Sequence, residues 1–556
     1  MSARPSIQVR SLFVGLIVIA IFLSGCAAPA AAPTGAPSNS NPPAAPAQPQ
    51  QPPAYQPPAG QANPPAAQAT APRPAEQKPQ QPPSGLVLPP ASNPVCCPPT
   101  LAWPEQPRQE YPRYPFMDTR EDHLSTFAMD VDTASYTKMR DYLRNGQLPP
   151  TDLVRVEEFL NYFKMEYPDP ESGAFSINLE GAPSPFGGEG TYLVKVGIQG
   201  KHIAQWQRKD ALLTFVIDVS GSMREDNKIE MVKYGLTRLV DQLGPNDRVA
   251  IVAFTDTAWV VIDPTAAENR YRILDAINGL YPMNSTNTEA GLRLGYELAH
   301  RNYRDGAINR VILATDGVAN VGNTDPNMLA QYAQDYYGRN IFLSTIGVGR
   351  GDYNDQLLET LADKGNGVYS FLDSNEAAER TFAQDLNGTL QTIAKDAKIQ
   401  VDFNPNVVRA YRLLGYENRA VADQDFRNDT VDAGEVGAGQ NVTALYEVQF
   451  ASENRDDEAL IVRVRYEDPD TRAVSELNKP LKISEFQRDF NRTSPRFQLA
   501  AAVAQFAEIL RGNDWAKGEK MYNVLNLARS VQQQLPFDQD VNEFVQIVDY
   551  AARLVD

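Results

Sequence analysis

Between residue 211 and about residue 395 the chain alternates two patterns. Short, continuous apolar runs (LLTFVID, VAIVAF, VILATD, IFLSTIGVG) are separated by stretches with apolar residues at helical spacing, over 229–243, 290–300 and 327–337. A strand without polar alternation is buried on both faces, and intervening helices supply the cover. The expected fold of 211–395 is therefore α/β, a doubly wound, mostly parallel sheet of Rossmann-like type.

The flanks read differently. Over 120–170 the pattern predicts a short strand at 126–131, a helix capped near Thr133, and a second helix at 152–163 after Gly146 and Pro149-Pro150. Residues 171–205 are β-like (AFSINLEG, YLVKVGIQG). The segment 398–556 is β-rich (AKIQVDF, VTALYEVQF, ALIVRVRY, NKPLKI) and then helical from Pro495, where Trp515 is expected in the core. The β segments on either side of 211–395 are expected to fold together, with the α/β domain inserted between them and its last helix, 376–393, linking the two. Asp130 and Asp132 in DVDT are read as a strand end and helix cap rather than a phosphotransferase site, because Ala134 stands where that motif needs Thr or Val.

The N-terminus carries an address. Arg4 and Arg10 precede an apolar stretch from Ser11 to Leu23, short of the ~20 residues that a membrane span needs. Leu23-Ser24-Gly25-Cys26 follows, and this resembles the bacterial lipobox. The resemblance implies a signal peptide over 1–25, acylation (palmitate or a similar chain) at Cys26, and a protein held at the cell membrane or outer membrane, facing the periplasm or the exterior. Residues 26–115 are rich in Pro, Ala and Gln and cannot bury enough apolar surface to offset the entropy of ordering. They read as a stiffened tether.

Composition narrows the chemistry. With 51 Lys+Arg against 69 Asp+Glu the chain carries −18, which argues against nucleic acid as a partner. The three cysteines (Cys26, Cys96, Cys97) all precede the folded part, so it contains neither a disulfide nor a thiolate metal site. His123, His202 and His300 are scattered and form no HExxH pair.

The informative cluster lies at the expected strand ends. LLTFVID runs into Asp218-Val219-Ser220-Gly221-Ser222, Ser285-Thr286-Asn287-Thr288 precedes the helix at 290–300, and VILATD ends in Thr315-Asp316-Gly317. Doubly wound sheets present ligands at the carboxyl ends of their strands, and carboxylates with hydroxyls make a hard oxygen donor set. DxSxS, a Thr loop and a strand-ending Asp-Gly, in that order, resemble the von Willebrand factor type A domain with its metal-ion-dependent adhesion site. The resemblance implies Mg²⁺ as cofactor, with Mn²⁺ or Ca²⁺ as substitutes, and ligands Asp218, Ser220, Ser222, Thr286 and Asp316. Two carboxylates neutralise a divalent cation, and the open position then favours an Asp or Glu of a protein partner.

The blocks STFAMDVDTASY, VRVEEFLNYF and LLGYENRA extend the likeness to a bacterial family of type A lipoproteins, with an N-terminal helper domain over 120–170. The expected function is adhesion-type protein binding without catalysis. The alternatives are an accessory or assembly factor of an envelope complex and, less favoured in the absence of GxSxG, HExxH or a P-loop, an envelope hydrolase. Arg350-Gly351-Asp352 is expected as a tight βα turn with Gly347 and Gly349 rather than as an integrin ligand.

Overall fold

A computed structural model describes residues 113–283, 285–317, 326–349, 355–385, 390–451 and 457–555. The signal and tether, Cys26, Cys96, Cys97 and the Arg350-Gly351-Asp352 triplet lie outside the described residues.

The chain opens with β1 (Met117–Asp118), β2 (Leu124–Ala128), α1 (Ala134–Arg144) and α2 (Val156–Tyr162), followed by the hairpin β3 (Phe175–Pro183) and β4 (Thr191–Gly200). The α/β unit comes next: β5 (Ala211–Asp218), α3 (Lys228–Val240), β6 (Arg248–Phe254), β7 (Ala258–Ala266), α4 (Arg270–Asn278), α5 (Thr288–Arg301), β8 (Ile308–Thr315), α6 (Pro326–Tyr337), β9 (Phe342–Val348), α7 (Asp355–Lys364), β10 (Tyr369–Leu372) and α8 (Asn375–Glu379). Then come β11 (Thr392–Phe403), β12 (Val408–Leu414), β13 (Gly434–Gly437), β14 (Asn441–Phe450), β15 (Glu458–Glu467) and β16 (Val474–Lys482). Three helices finish the chain: α9 (Pro495–Leu510), α10 (Met521–Gln534) and α11 (Gln539–Val555).

The α/β sheet has the order β10-β9-β8-β5-β6-β7, all parallel except β7. Every residue of β5 and of β8 is buried, as the apolar runs require. Helix α5 lies unusually close to this sheet. A Cβ at Gly291 would stand 2.6 Å from the Phe254 ring, and one at Gly295 would stand 2.3 Å from Val216 Cγ2. Two glycines one turn apart thus set the depth of the helix whose leading loop carries Thr286.

The flanking β segments do fold together. One sheet runs β1-β12-β14-β4-β3, in which β4, before the insertion, pairs antiparallel with β14, after it, from Thr191↔Gln449 to Gln199↔Asn441. The second sheet is built on β11, with β15 and β16 on one side and β2 and β13 end to end on the other. Val194, Val196 and Ile198 of the first sheet share a core with Ile399, Val401, Val462 and Val464 of the second, so the pair is a sandwich. On its outer face α1 and α2 join α9, α10 and α11 in a single helical core, where Phe159, Phe163, Phe506 and Phe544 meet edge to face or tilted.

Several sequence expectations are corrected. The strand expected at 126–131 is β2, Leu124–Ala128. The helix expected at 152–163 is a 3₁₀ turn, Thr151–Leu153, followed by α2. Of the helix expected at 376–393, the described residues show α8 and a π-turn, Arg380–Asp385, and β11 already begins at Thr392. Gly347 lies inside β9 and takes no part in a turn. Trp515 is 51% exposed; its ring packs edge-on against Phe116 and beside the Arg412 guanidinium.

Asp130 and Asp132 do more than end a strand. The Arg419 guanidinium reaches Asp130 Oδ2 and Asp132 Oδ2, each at 3.2 Å, and Asp363 Oδ1 at 2.6 Å on α7. Asp132 Oδ1 also accepts the amide of Tyr369 on β10 at 2.8 Å. Burial and the neighbouring Asp130 push the Asp132 carboxyl upward, and Arg419 opposes that. One arginine therefore joins the N-terminal segment, the sandwich and the α/β unit. Arg140 makes a second such link, forking onto Asp373 at 2.5 and 2.7 Å and reaching Glu543 at 2.8 Å. Replacing Arg419 with Met strands buried carboxylates, and we expect destabilisation of about 3–5 kcal/mol in chemical denaturation. An unchanged denaturation midpoint would show that the Arg419 ion pairs contribute nothing to holding the sandwich and the α/β unit together.

Candidate metal centre

β5 and β8 are adjacent and parallel, so their carboxyl ends deliver Asp218 and Asp316 side by side. Both are essentially inaccessible, at 0% and 1% exposure. The backbone then turns sharply. Asp218 Oδ1 accepts the Ser220 amide at 2.8 Å, which folds the DxSxS loop back over its own aspartate. Thr315 Oγ1 donates to Asp218 Oδ2 at 2.6 Å and accepts the Gly317 amide at 3.0 Å, so one hydroxyl orients the carboxylate and closes the next turn. Gly317 sits at φ +80°, where a side chain would be strained.

The hydroxyls of Ser220 and Ser222 stand 3.0 Å apart. Thr286 is buried in the loop leading to α5. Backbone contacts bring that loop in: the Met283 amide donates to Val219 O at 2.6 Å, and the Asn287 amide to Thr255 O at 2.6 Å. Asn287 Oδ1 caps α5 by accepting the Ala290 amide at 3.0 Å. Among the described residues no hydrogen bond joins the Thr286 hydroxyl to the other four side chains. Four of the five expected ligands are thus gathered at the ends of β5 and β8, and the fifth is carried on a loop pinned against Val219. Tyr281 and Met283 on that loop are 71% and 48% exposed, and Lys233 Nζ of α3 lies 4.9 Å from the Tyr281 ring.

The electrostatics of the centre are unbalanced. Burial, then the Asp316 carboxylate, raise Asp218 to about 7, against the lowering effect of its hydrogen bonds. Asp316 Oδ1 is buried and, among the described residues, has no hydrogen-bond partner. A buried carboxylate oxygen without a donor is costly and calls for a cation. The donors are all hard oxygens, so the residues fit Mg²⁺ better than a thiolate- or imidazole-seeking metal.

Sequence reasoning missed two members of this centre. Thr315 was read only as part of a strand-ending turn. Lys228 was not considered, yet its ammonium donates to Asp316 Oδ2 at 3.0 Å, with both side chains buried. A signal existed: a lysine in the first turn of a helix opposes the helix dipole and needs an anion nearby. A separate group of carboxylates, Asp396, Asp432 and Glu435, has oxygens within 4.8 Å of one another. Glu435 there binds Asn366, beside Gly365, which pairs with Leu343 near the start of β9; the group thus lies at the opposite end of the α/β sheet from Asp218.

The matches to known proteins follow the same division. Residues 213–387 match the von Willebrand factor type A domain family, 105–195 the family described as von Willebrand factor, and 388–554 the C-terminal family of uncharacterized protein YfbK. Uncharacterized protein YfbK of Escherichia coli (strain K12) is 33% identical over 473 residues, 81% of each chain. Inter-alpha-trypsin inhibitor heavy chain H3 of Mus musculus is 26% identical over 209 residues, 35% of this chain and 22% of that one. A solved von Willebrand factor type A structure from Catenulispora acidiphila covers 69% of this chain and 91% of its own, at 17% identity and a TM-score of 0.43. Type A domains generally mediate protein–protein interaction, and most relatives of this kind are not enzymes. With 33% identity spanning 81% of both chains, this protein belongs to the YfbK family of von Willebrand factor type A domain proteins.

Proposed function

We propose that the protein is an envelope-tethered module that captures a protein partner through a divalent cation, Mg²⁺ foremost, held by Asp218, Ser220, Ser222, Thr286 and Asp316. The observation that carries this reading is the buried Asp316 Oδ1, without a hydrogen-bond partner among the described residues, near a second buried carboxylate and two hydroxyls 3.0 Å apart. When bound, the cation supplies an electrophilic position for an Asp or Glu of the partner. The chain's own part is to fix the donors and keep water from the carboxylates. The exposed Tyr281 and Met283 give the partner apolar surface next to the charged contact. The lipobox-like Leu23-Ser24-Gly25-Cys26 supports an acyl anchor, and the proline-rich 26–115 supports a spacer between membrane and binding face.

The protonation of Asp218 gives a handle on the site. Its folded value of about 7 lies above the 3.8 of an unperturbed aspartate. Between those values the unfolded chain is ionised while the folded one holds the proton. The contribution to stability is therefore complete below about pH 4 and lost as pH rises to about 7, on the order of 4 kcal/mol in total. In metal-free protein the melting temperature should fall across that window more steeply than in Asp218→Asn. Saturating Mg²⁺, which favours the ionised form, should remove most of the difference near pH 7. A melting profile insensitive to both substitution and metal would count against the centre.

Two further outcomes test the parts separately. Asp218→Ala should lose calorimetric Mg²⁺ binding while keeping its circular dichroism spectrum; unchanged Mg²⁺ affinity would refute the ligand assignment. Cys26→Ser should move the expressed protein out of the membrane fraction and abolish labelling by radioactive palmitate, and persistence of both would refute the anchor.

A further inference from the structure

Lys228 is the first residue of α3, six residues beyond Ser222, and its side chain is 5% exposed. The preceding residues Asp226 and Asn227 both adopt positive φ, at +49° and +58°, so the chain turns tightly before entering the helix. The lysine stem is laid along a prepared path. A Cβ at Gly349, just past β9, would stand 2.4 Å from both Lys228 Cγ and Cε. Gly349 itself is at φ +86°, and its amide donates to Leu372 O at 3.0 Å, so this backbone is held in place. The path ends at Asp316 Oδ2, and the other oxygen of the same carboxylate is the one without a donor.

Burying an ammonium at the positive end of a helix is doubly unfavourable. Its cost is recovered only through the carboxylate it meets. That carboxylate is divided between a fixed cation and an open oxygen, which changes the charge count of the centre. Asp218 and Asp316 alone would neutralise a divalent cation. With Lys228 included, the same centre is left with one positive charge, inside a wall of apolar strands where charge is weakly screened.

We propose that Lys228 is a specificity-determining residue of this centre: its fixed charge weakens retention of the divalent cation and, in exchange, makes the loaded centre cationic, so that it selects an anionic side chain over water or a neutral carbonyl. The inference rests on the metal-binding reading above. It makes the loaded protein dependent on its partner for charge balance. Partner and cation then bind cooperatively, each tighter when the other is present.

Substitution at Lys228 separates this role from a structural one. The readouts are Mg²⁺ affinity of the full chain by calorimetry, and acetate affinity of the Mn²⁺-loaded chain from the loss of water-proton relaxation as bound water is displaced. In Lys228→Met the cation should bind about tenfold tighter and acetate about tenfold weaker, as expected for removing one charge at this range. Lys228→Arg, which keeps the charge, should hold acetate affinity closer to wild type than Met does. A merely structural role would weaken both together. If Lys228→Met does not fold, Lys228→Gln, which keeps a donor to Asp316, gives the same two readings. Cation affinity that is unchanged or weaker, or acetate affinity that does not fall, overturns the proposal. If wild type binds Mg²⁺, Asp218→Ala does not, and the Lys228 variants match wild type, only the role of Lys228 falls. If wild type binds no Mg²⁺, the metal reading falls and takes this one with it.

Discussion

A sheet buried on both faces has no place for charge except at the ends of its strands. β5 and β8 are buried throughout their length; β5 ends in Asp218, and Asp316 directly follows the last residue of β8. Asp218 and Asp316 are therefore forced into proximity by strand pairing, at the boundary where the low-dielectric interior stops. Everything around them answers that imposed repulsion. The Ser220 amide and the Thr315 hydroxyl hold Asp218, and Lys228 holds one oxygen of Asp316. The oxygen left over is where binding chemistry becomes possible. The centre is a consequence of unresolved desolvation, maintained because the surrounding packing is strong enough to bear it.

The rest of the chain gives that centre a rigid mount. β5 follows closely on β4, and the return into β11 leads to β14, which pairs with β4. Arg419 and Arg140 then fasten the flank of the inserted unit, through Asp363 and Asp373, to the sandwich and to the helical layer. The inserted unit is thus held by chain connections and by buried ion pairs on its β10 side. The loops that carry Asp218 and Asp316 remain at the far end of the sheet from the Asp396, Asp432 and Glu435 group.

How much of this was legible in the sequence depended on the kind of interaction. The four apolar runs became β5, β6, β8 and β9 because continuous burial leaves a continuous hydrophobic signature. DxSxS, the Thr loop and the terminal Asp-Gly were legible because their order fixes them on the correct strand ends. Lys228 was not, since one lysine among many carries no periodicity, and its partner lies 88 residues away. Strands that bury charge were also obscure. β12, VRAYRLL, mixes charge with apolar residues because Arg412 is buried against Glu447 and Glu508, an arrangement that no hydropathy pattern announces. The same holds for Asp130 and Asp132, whose partner Arg419 arrives from the other end of the fold. The helix expected at 376–393 ran too far because apolar periodicity was followed past Asn387-Gly388, a dipeptide that punctuates helices, and β11 begins at Thr392.

The pairing of β4 with β14 also has a consequence in time. About 240 residues separate the partner strands, and that whole interval of chain has to emerge before they can meet. Throughout it, the β3–β4 hairpin has neither β14 nor the opposing sheet, and an isolated hairpin is marginal at best. Leu193, Val194, Val196 and Ile198 then lie on an uncovered strand edge, the arrangement that invites pairing with a neighbouring chain. The inserted unit, with its mostly sequential parallel strands, is able to complete its own core first. The sandwich closes after it, and the helical layer, which needs α9 to α11, closes last.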